Sequence, residues 1–135
     1  MLAMLVAAAV TIAQAAGAPA APACGGLAFQ SVAVKTVTSA AGLNHYQITG
    51  TVINNGTKAQ PSNTLQFVDI FTSAHQKLND RGIPPLKPGQ TYTFGYTYDR
   101  SIQAGNGTSH LVFRIDMRQP APPANCAPAT YPLTF

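Results

Sequence analysis

Leu86-Lys87-Pro88-Gly89-Gln90, followed by Thr91-Tyr92-Thr93-Phe94-Gly95-Tyr96-Thr97-Tyr98, decides the fold. Pro88 and Gly89 stand at the second and third places of a four-residue turn. Pro presets φ there and Gly accepts a positive φ, so the spacing predicts a type II turn. In the segment that follows, Tyr92, Phe94, Tyr96 and Tyr98 alternate with Thr91, Thr93, Gly95 and Thr97. A period of two is the signature of a strand with one buried face. The aromatic face is expected to pack into a core with its tyrosine hydroxyls at the rim, a simpler use of such a stripe than a platform for carbohydrate stacking.

Working outward, the same grammar of short apolar runs and turn residues repeats. A first strand is expected from Leu27 to about Val37, with a loop over Thr38 to Asn44. His45 to Asn54 places Tyr46, Ile48, Gly50 and Val52 on one face, and Asn54-Asn55-Gly56 ends it with residues that tolerate φ > 0. Leu65 to Thr72 is a third strand, with Leu65, Phe67 and Phe71 sharing a face with Asp69 and with Val68 and Ile70 opposite. Both faces are expected to be covered, which obliges Asp69 to find a partner. Ala74 to Asp80 reads as a short strand or a turn closed by Asn79-Asp80-Arg81-Gly82. His110 to Met117, the last strand expected, turns Leu111, Phe113, Ile115 and Met117 inward and His110, Val112, Arg114 and Asp116 outward. The predicted core is Phe67, Phe71, Tyr92, Phe94, Leu111, Phe113 and Ile115.

Residues 1–23 read as a signal peptide and Ala/Pro-rich leader. Met1 to Ala16 is uncharged and apolar, too short to span a bilayer, and Ala13-Gln14-Ala15 offers a small-x-small cleavage pattern, although no basic residue precedes the apolar run. Residues 24–135 then form a single domain with a Pro-rich C-terminal segment. Cys24 and Cys126 bracket it. In an oxidising compartment a disulfide between them is the natural reading. Free thiols and a lipid-modified Cys24 are the alternatives, the latter lacking the bulky aliphatic residue expected three positions earlier.

Charge is sparse: four Asp, no Glu, four Lys and four Arg, none of them clustered. A net charge of +4 spread this thinly lacks the gathered basic face and aromatic platforms of a nucleic-acid binder. Asp69, Asp80, Asp99 and Asp116 lie on separate elements and show no paired-carboxylate signature. His45, His75 and His110 are dispersed, and no nucleophile elbow or phosphate loop accompanies them.

Gly50-Thr51-Val52-Ile53-Asn54-Asn55-Gly56-Thr57, Leu86-Lys87-Pro88-Gly89-Gln90-Thr91 and Val112-Phe113-Arg114-Ile115-Asp116, taken in order, resemble the bacterial CARDB domains, named for a cell-adhesion relationship. The resemblance runs from about Leu27 to Arg118. It implies an all-β, immunoglobulin/fibronectin-III-like antiparallel β-sandwich of about seven strands, with an adhesive or spacer role and no catalytic residues. Leu86-Lys87-Pro88-Gly89-Gln90 with Tyr96-Thr97-Tyr98-Asp99 is also similar to the bacterial proteinase-inhibitor domains of the same architecture, which implies a secreted protease inhibitor or other soluble binding protein as the alternative. The expectation is therefore a non-catalytic module, secreted or held in the periplasm or cell envelope, whose partner is a protein or cell-surface polymer. No catalytic residue, metal site, cofactor, nucleic-acid partner or membrane span after leader cleavage is expected. The loops Asn54 to Ser62, Ala74 to Pro85 and Ser101 to Ser109, or a sheet edge, are the candidate contact surfaces.

Overall fold

The computed structural model describes residues 24–102 and 107–135. The expected leader, and residues 103–106 of the candidate contact loop Ser101 to Ser109, lie outside the described residues. Seven strands are formed among the described residues: β1 (Leu27–Ala40), β2 (Leu43–Asn54), β3 (Leu65–Thr72), β4 (Lys77–Ile83), β5 (Thr91–Ser101), β6 (His110–Gln119) and β7 (Thr130–Thr134). They make an antiparallel sandwich, one sheet in the order β1-β2-β5 and the other β4-β3-β6-β7. Because the fourth strand pairs with the third and not with the fifth, the connectivity is fibronectin-III-like.

The period-two reading of β2, β5 and β6 holds. Tyr46, Ile48 and Val52 from β2, Phe94 from β5, and Leu111, Phe113 and Ile115 from β6 are all buried. Tyr92, Tyr96 and Tyr98 pack against this core while staying partly exposed, as amphipathic rings at a rim do. Phe94 lies opposite Gly50 in the β2-β5 register, and its ring covers the space a Cβ at position 50 would need. It also meets Phe113 of the other sheet at 5.9 Å between centroids, so a single ring ties the two sheets together. The Lys87–Gln90 turn closes as expected, with Gln90 N donating to Lys87 O at 2.9 Å and Gly89 at φ 75°.

Four expectations are corrected. The loop placed at Thr38 to Asn44 is a two-residue turn: β1 runs on to Ala40 and β2 starts at Leu43, because Ala41 and Gly42 both take positive φ (51° and 76°), the geometry that suits the twist of a tight hairpin. Asn79-Asp80-Arg81-Gly82 does not close a turn but forms the body of β4, whose polar sequence reflects its place at a sheet edge. Thr130–Thr134 adds a strand after the Pro-rich segment, antiparallel to β6. Phe67 and Phe71 are not core residues. The inward face of β3 is Gln66, Val68 and Ile70, while Phe67 and Phe71 lie on the outer face, half-buried beneath the guanidinium groups of Arg118 (4.0 Å) and Arg114 (4.5 Å). Stacked guanidinium groups cover those rings in place of a second sheet.

Strand alternation puts the β2-β3, β4-β5 and β6-β7 connections at one pole of the sandwich and the β1-β2, β3-β4 and β5-β6 connections at the other. The three candidate contact loops therefore do not share one surface. Asn54 to Ser62 lies at the first pole; the described ends of Ser101 to Ser109 lie at the second, as does the turn at the start of Ala74 to Pro85, whose remainder is mostly edge strand.

Candidate functional site

Asn54, the last residue of β2, is buried, and its side chain spends every hydrogen bond on backbone. Its Oδ1 accepts from Gly56 N at 2.8 Å, and its Nδ2 donates to Lys58 O at 3.0 Å and to Leu86 O at 2.9 Å. Neither Asn54, Asn55 nor Gly56 adopts a positive φ. The Asn-Asn-Gly sequence thus turns the chain through an Asn side chain that mimics a backbone turn, not through the left-handed region that the sequence suggested. Gly56 suits this bend all the same, since a Cβ there would lie 3.0 Å from Asn54 Oδ1 and oblige that side chain to shift.

A second amide pair extends this pin. Gln60 Nε2 donates to Gly25 O at 3.0 Å and to Gln66 Oε1 at 2.9 Å, while Gln66 Nε2 donates to Gln60 Oε1 at 2.7 Å and to Pro84 O at 3.2 Å. Leu86 N donates to the same Gln60 oxygen at 3.0 Å. Buried amides cost stability unless paired, and these are paired. The result is a β2-β3 loop fixed to the N-terminal Gly25-Gly26 segment and to the β4-β5 turn. The Cys24–Cys126 disulfide, with Cα atoms 5.2 Å apart, ties the β6-β7 segment to the same pole.

Between these fixed walls lies an open groove of about 540 Å³. One wall is Asn54 to Pro61, with Lys58 as the groove's charged residue; the opposite wall is Met117 with Pro120, Pro122 and Pro123. Its surface is mostly apolar, and its lining contains no carboxylate or imidazole. Such a cleft can seat an extended or flat ligand against prolines and a methionine, with loop backbone for polar contacts. Lys58 is the titratable side chain of its lining.

The titratable side chains gather elsewhere. Asp69, Asp80 and Asp116 share the outer face of the four-stranded sheet, with Lys77 Nζ 3.2 Å from Asp69 and 3.0 Å from Asp80, and Arg114 Nε 3.0 Å from Asp116. Their common face, invisible in their sequence spacing, follows from the β3-β4 and β3-β6 registers. Asp69 is 5% exposed, and it has found the cations that burial demands, in Lys77 and, at 3.9 Å, Arg118. Burial pushes the Asp116 carboxyl up to about 6, helped by its hydrogen bond with Asp69 and only partly offset by Arg114. Burial acts on Asp69 in the same sense, but the Asp116 hydrogen bond and the nearby Lys77 and Arg118 bring its carboxyl below the ordinary value. Among the described residues no three His, Cys, Asp or Glu side chains are grouped to hold a metal ion.

The histidines stay apart, as their sequence positions indicate. His45 Nδ1 meets Asp99 Oδ1 at 2.5 Å across β2 and β5; His110 Nδ1 meets Thr134 Oγ1 at 3.0 Å; His75 sits at φ 63° in the β3-β4 turn.

The Asp116 geometry predicts a pH dependence. The native state keeps a proton on Asp116 that an unfolded carboxylate releases near pH 4, so stability from this group falls as pH rises from about 4 to about 6. Asp69 acts oppositely: its contribution is present above the ordinary carboxylate range and is lost as pH falls through its lowered value. Asp116→Asn keeps a donor toward Asp69 and removes the titration. It should raise stability at pH 7 by about 1 kcal/mol, discounted for partial exposure, and flatten the decline between about pH 4 and 6. Urea titrations at several pH values check this, and a decline unchanged in the variant would contradict it.

No protein-family model matches the sequence. No curated protein matches it. Among solved structures, the chain is similar to a Bacteroides fragilis protein provisionally described as a β-galactosidase, at 15% identity and a TM-score of 0.44, over 82% of this chain. It spans only 16% of that protein's length. It is also similar to the structural-genomics target SoR45, at 11% identity and a TM-score of 0.44, over 82% of this chain and 86% of the other. Likenesses at this level bring neither a family nor an activity to the chain.

Proposed function

We propose that this chain is a non-catalytic interaction module, exported to the cell envelope or beyond it, that engages a protein or a cell-surface polymer through the groove at its disulfide-tied pole. The observation that carries the reading is the fixed loop: Asn54, Gln60 and Gln66 lock the β2-β3 connection around an open cleft, and the groove lining holds no acid or imidazole. Preorganised walls reduce the ordering cost of binding, which is how a small domain gains affinity without a large interface. The disulfide supports the export half of the reading, since such bonds persist in oxidising compartments. The adhesive or spacer role implied by the CARDB resemblance belongs to the same proposal.

Thr57 and Ala121 face the groove and are exposed, so Trp at either position fills it without touching the core. Recovery of partners from an envelope extract should fall roughly tenfold for Thr57→Trp and Ala121→Trp and stay unchanged for Thr93→Trp, on the outer face of the three-stranded sheet. Equal recovery by all three variants would remove the groove from the account. Hydrolysis of a glycan, ester or peptide panel that vanished on replacing a single Asp or His would overturn the non-catalytic reading.

A further inference from the structure

A two-sheet sandwich has four edges, and three of them, with the first half of the fourth, carry at least one feature that hinders a new strand. β7 carries Pro132 at its middle, which has no N–H to offer a new strand. β4 presents Lys77, Asp80 and Arg81, with a register irregularity in its pairing with β3. On β5, the Gly95 carbonyl accepts the Arg81 guanidinium at 2.9 Å. The first half of β1 is screened where Phe29 packs edge-on against Tyr131 of β7 at 6.0 Å. Beyond the β1 irregularity between Val34 and Thr36, these protections stop. Thr36 to Ala40 is exposed at every residue, contains no charge, Pro or Gly, and includes Val37 at 50% exposure. An open, uncharged, β-branched edge is a template for another strand.

The sequence of this edge selects its partner. Val34-Lys35-Thr36-Val37-Thr38-Ser39-Ala40 is nearly symmetric about Val37. We propose that two copies of this chain pair antiparallel along β1 about Val37, joining their three-stranded sheets into one continuous sheet of six strands. In that register Val37 meets Val37 and Thr36 of each copy meets Thr38 of the other, and the irregularity between Val34 and Thr36 bounds the regular pairing. The faces agree. Val37 lies in the row of Tyr46 and Tyr98, so the Val37 pair prolongs the inward apolar row across the junction, while Thr36 and Thr38 continue the polar rows of Gln47 and His45. Cross-strand Thr pairs and β-branched pairs are favourable neighbours in antiparallel sheets. The two Lys35 ammonium groups fall four residues apart along the strand, about 13 Å, beyond the screening length of about 8 Å at physiological salt. The stretch is short and buries less than a standard interface, so the dimer is expected to form in the micromolar range or weaker.

Sedimentation equilibrium of the disulfide-intact chain from about 1 µM to about 1 mM tests this. The wild type should shift from monomer to dimer over that range. Val37→Lys, which sets two ammonium groups about 5 Å apart at the centre, should weaken association by tenfold or more. Thr38→Lys, on the opposite face of the same edge, should do likewise, while Val37→Thr and Leu65→Lys, the latter at an exposed apolar position on the other sheet, should not. All these positions are exposed, and unchanged thermal midpoints would confirm that the variants are folded. A wild type that stays monomeric throughout would overturn self-pairing and leave the edge to an unlike strand. A dimer that survives both Lys variants on β1 would overturn it as well.

Discussion

Phe113→Ala is expected to lower the unfolding free energy by about 3 to 5 kcal/mol, the range for deleting a fully buried aromatic ring. Phe113 is 0% exposed. It sits in β6 between β3 and β7, opposite Ile70 on one side and Tyr131 on the other. Its ring meets Phe94, which in turn lies over Gly50, so the contact path β6 to β5 to β2 crosses the space between the sheets. Removing the ring opens a void in the middle of that path. Phe67→Ala should cost less than about 2 kcal/mol, because that ring is half-buried on the outer face beneath Arg118. Urea denaturation checks both. A loss below about 1 kcal/mol for Phe113, or the reverse ranking, would contradict the assignment of the inward faces.

Loss of the Cys24–Cys126 bond should rank beside it. The bond closes a separation of 102 residues, for which the chain-entropy model gives about 4 to 5 kcal/mol of constraint on the unfolded state, and removals from small domains fall at about 2 to 5 kcal/mol. Its second effect is local. Gly25 and Gly26 next to Cys24 line one part of the groove and the Pro120 to Pro123 segment lines another, so the bond holds groove walls that come from opposite ends of the described chain. The double variant Cys24→Ala with Cys126→Ala should therefore show a lower urea midpoint and faster amide exchange in residues 24–26 and in the non-Pro residues of 119–127. A midpoint within about 0.5 kcal/mol of wild type would mean that the tails are held by packing alone.

Much of the sandwich was legible because its inner strands obey period two. Thr91 to Tyr98 and His110 to Met117 have one buried and one solvent-facing side, and the Lys87–Gln90 turn needed only Pro and Gly in their places. The reading failed where a strand lies at an edge or where charge covers an aromatic. β4 is written Lys77-Leu78-Asn79-Asp80-Arg81-Gly82 because an edge must resist further pairing, and that polarity imitates a turn. β7 hides behind Pro132, which an edge strand tolerates. Phe67 and Phe71 read as inward because hydrophobicity alone cannot reveal that Arg118 and Arg114, roughly forty to fifty residues later, stack on them.

The candidate site shows the same division. Asn54-Asn55-Gly56 marked the loop, and the bracketing cysteines marked the closure of the domain. The roles of Gln60, Gln66 and Met117 were not legible, since each depends on contacts between segments that only the fold brings together. The Pro-rich stretch after Gln119 reads as a tail in sequence, yet it is a wall of the groove.

Site-specific photo-crosslinking tests the central claim, that partners are taken at the disulfide-tied pole. A benzophenone side chain at Thr57, in the groove wall, is compared with the same group at Thr93 on the outer face of the three-stranded sheet, both exposed positions. In the chain's own envelope fraction, the account predicts a discrete crosslinked species from position 57 that is absent from position 93 and is suppressed by Ala121→Trp. The same species from both positions, or from position 93 alone, would contradict it.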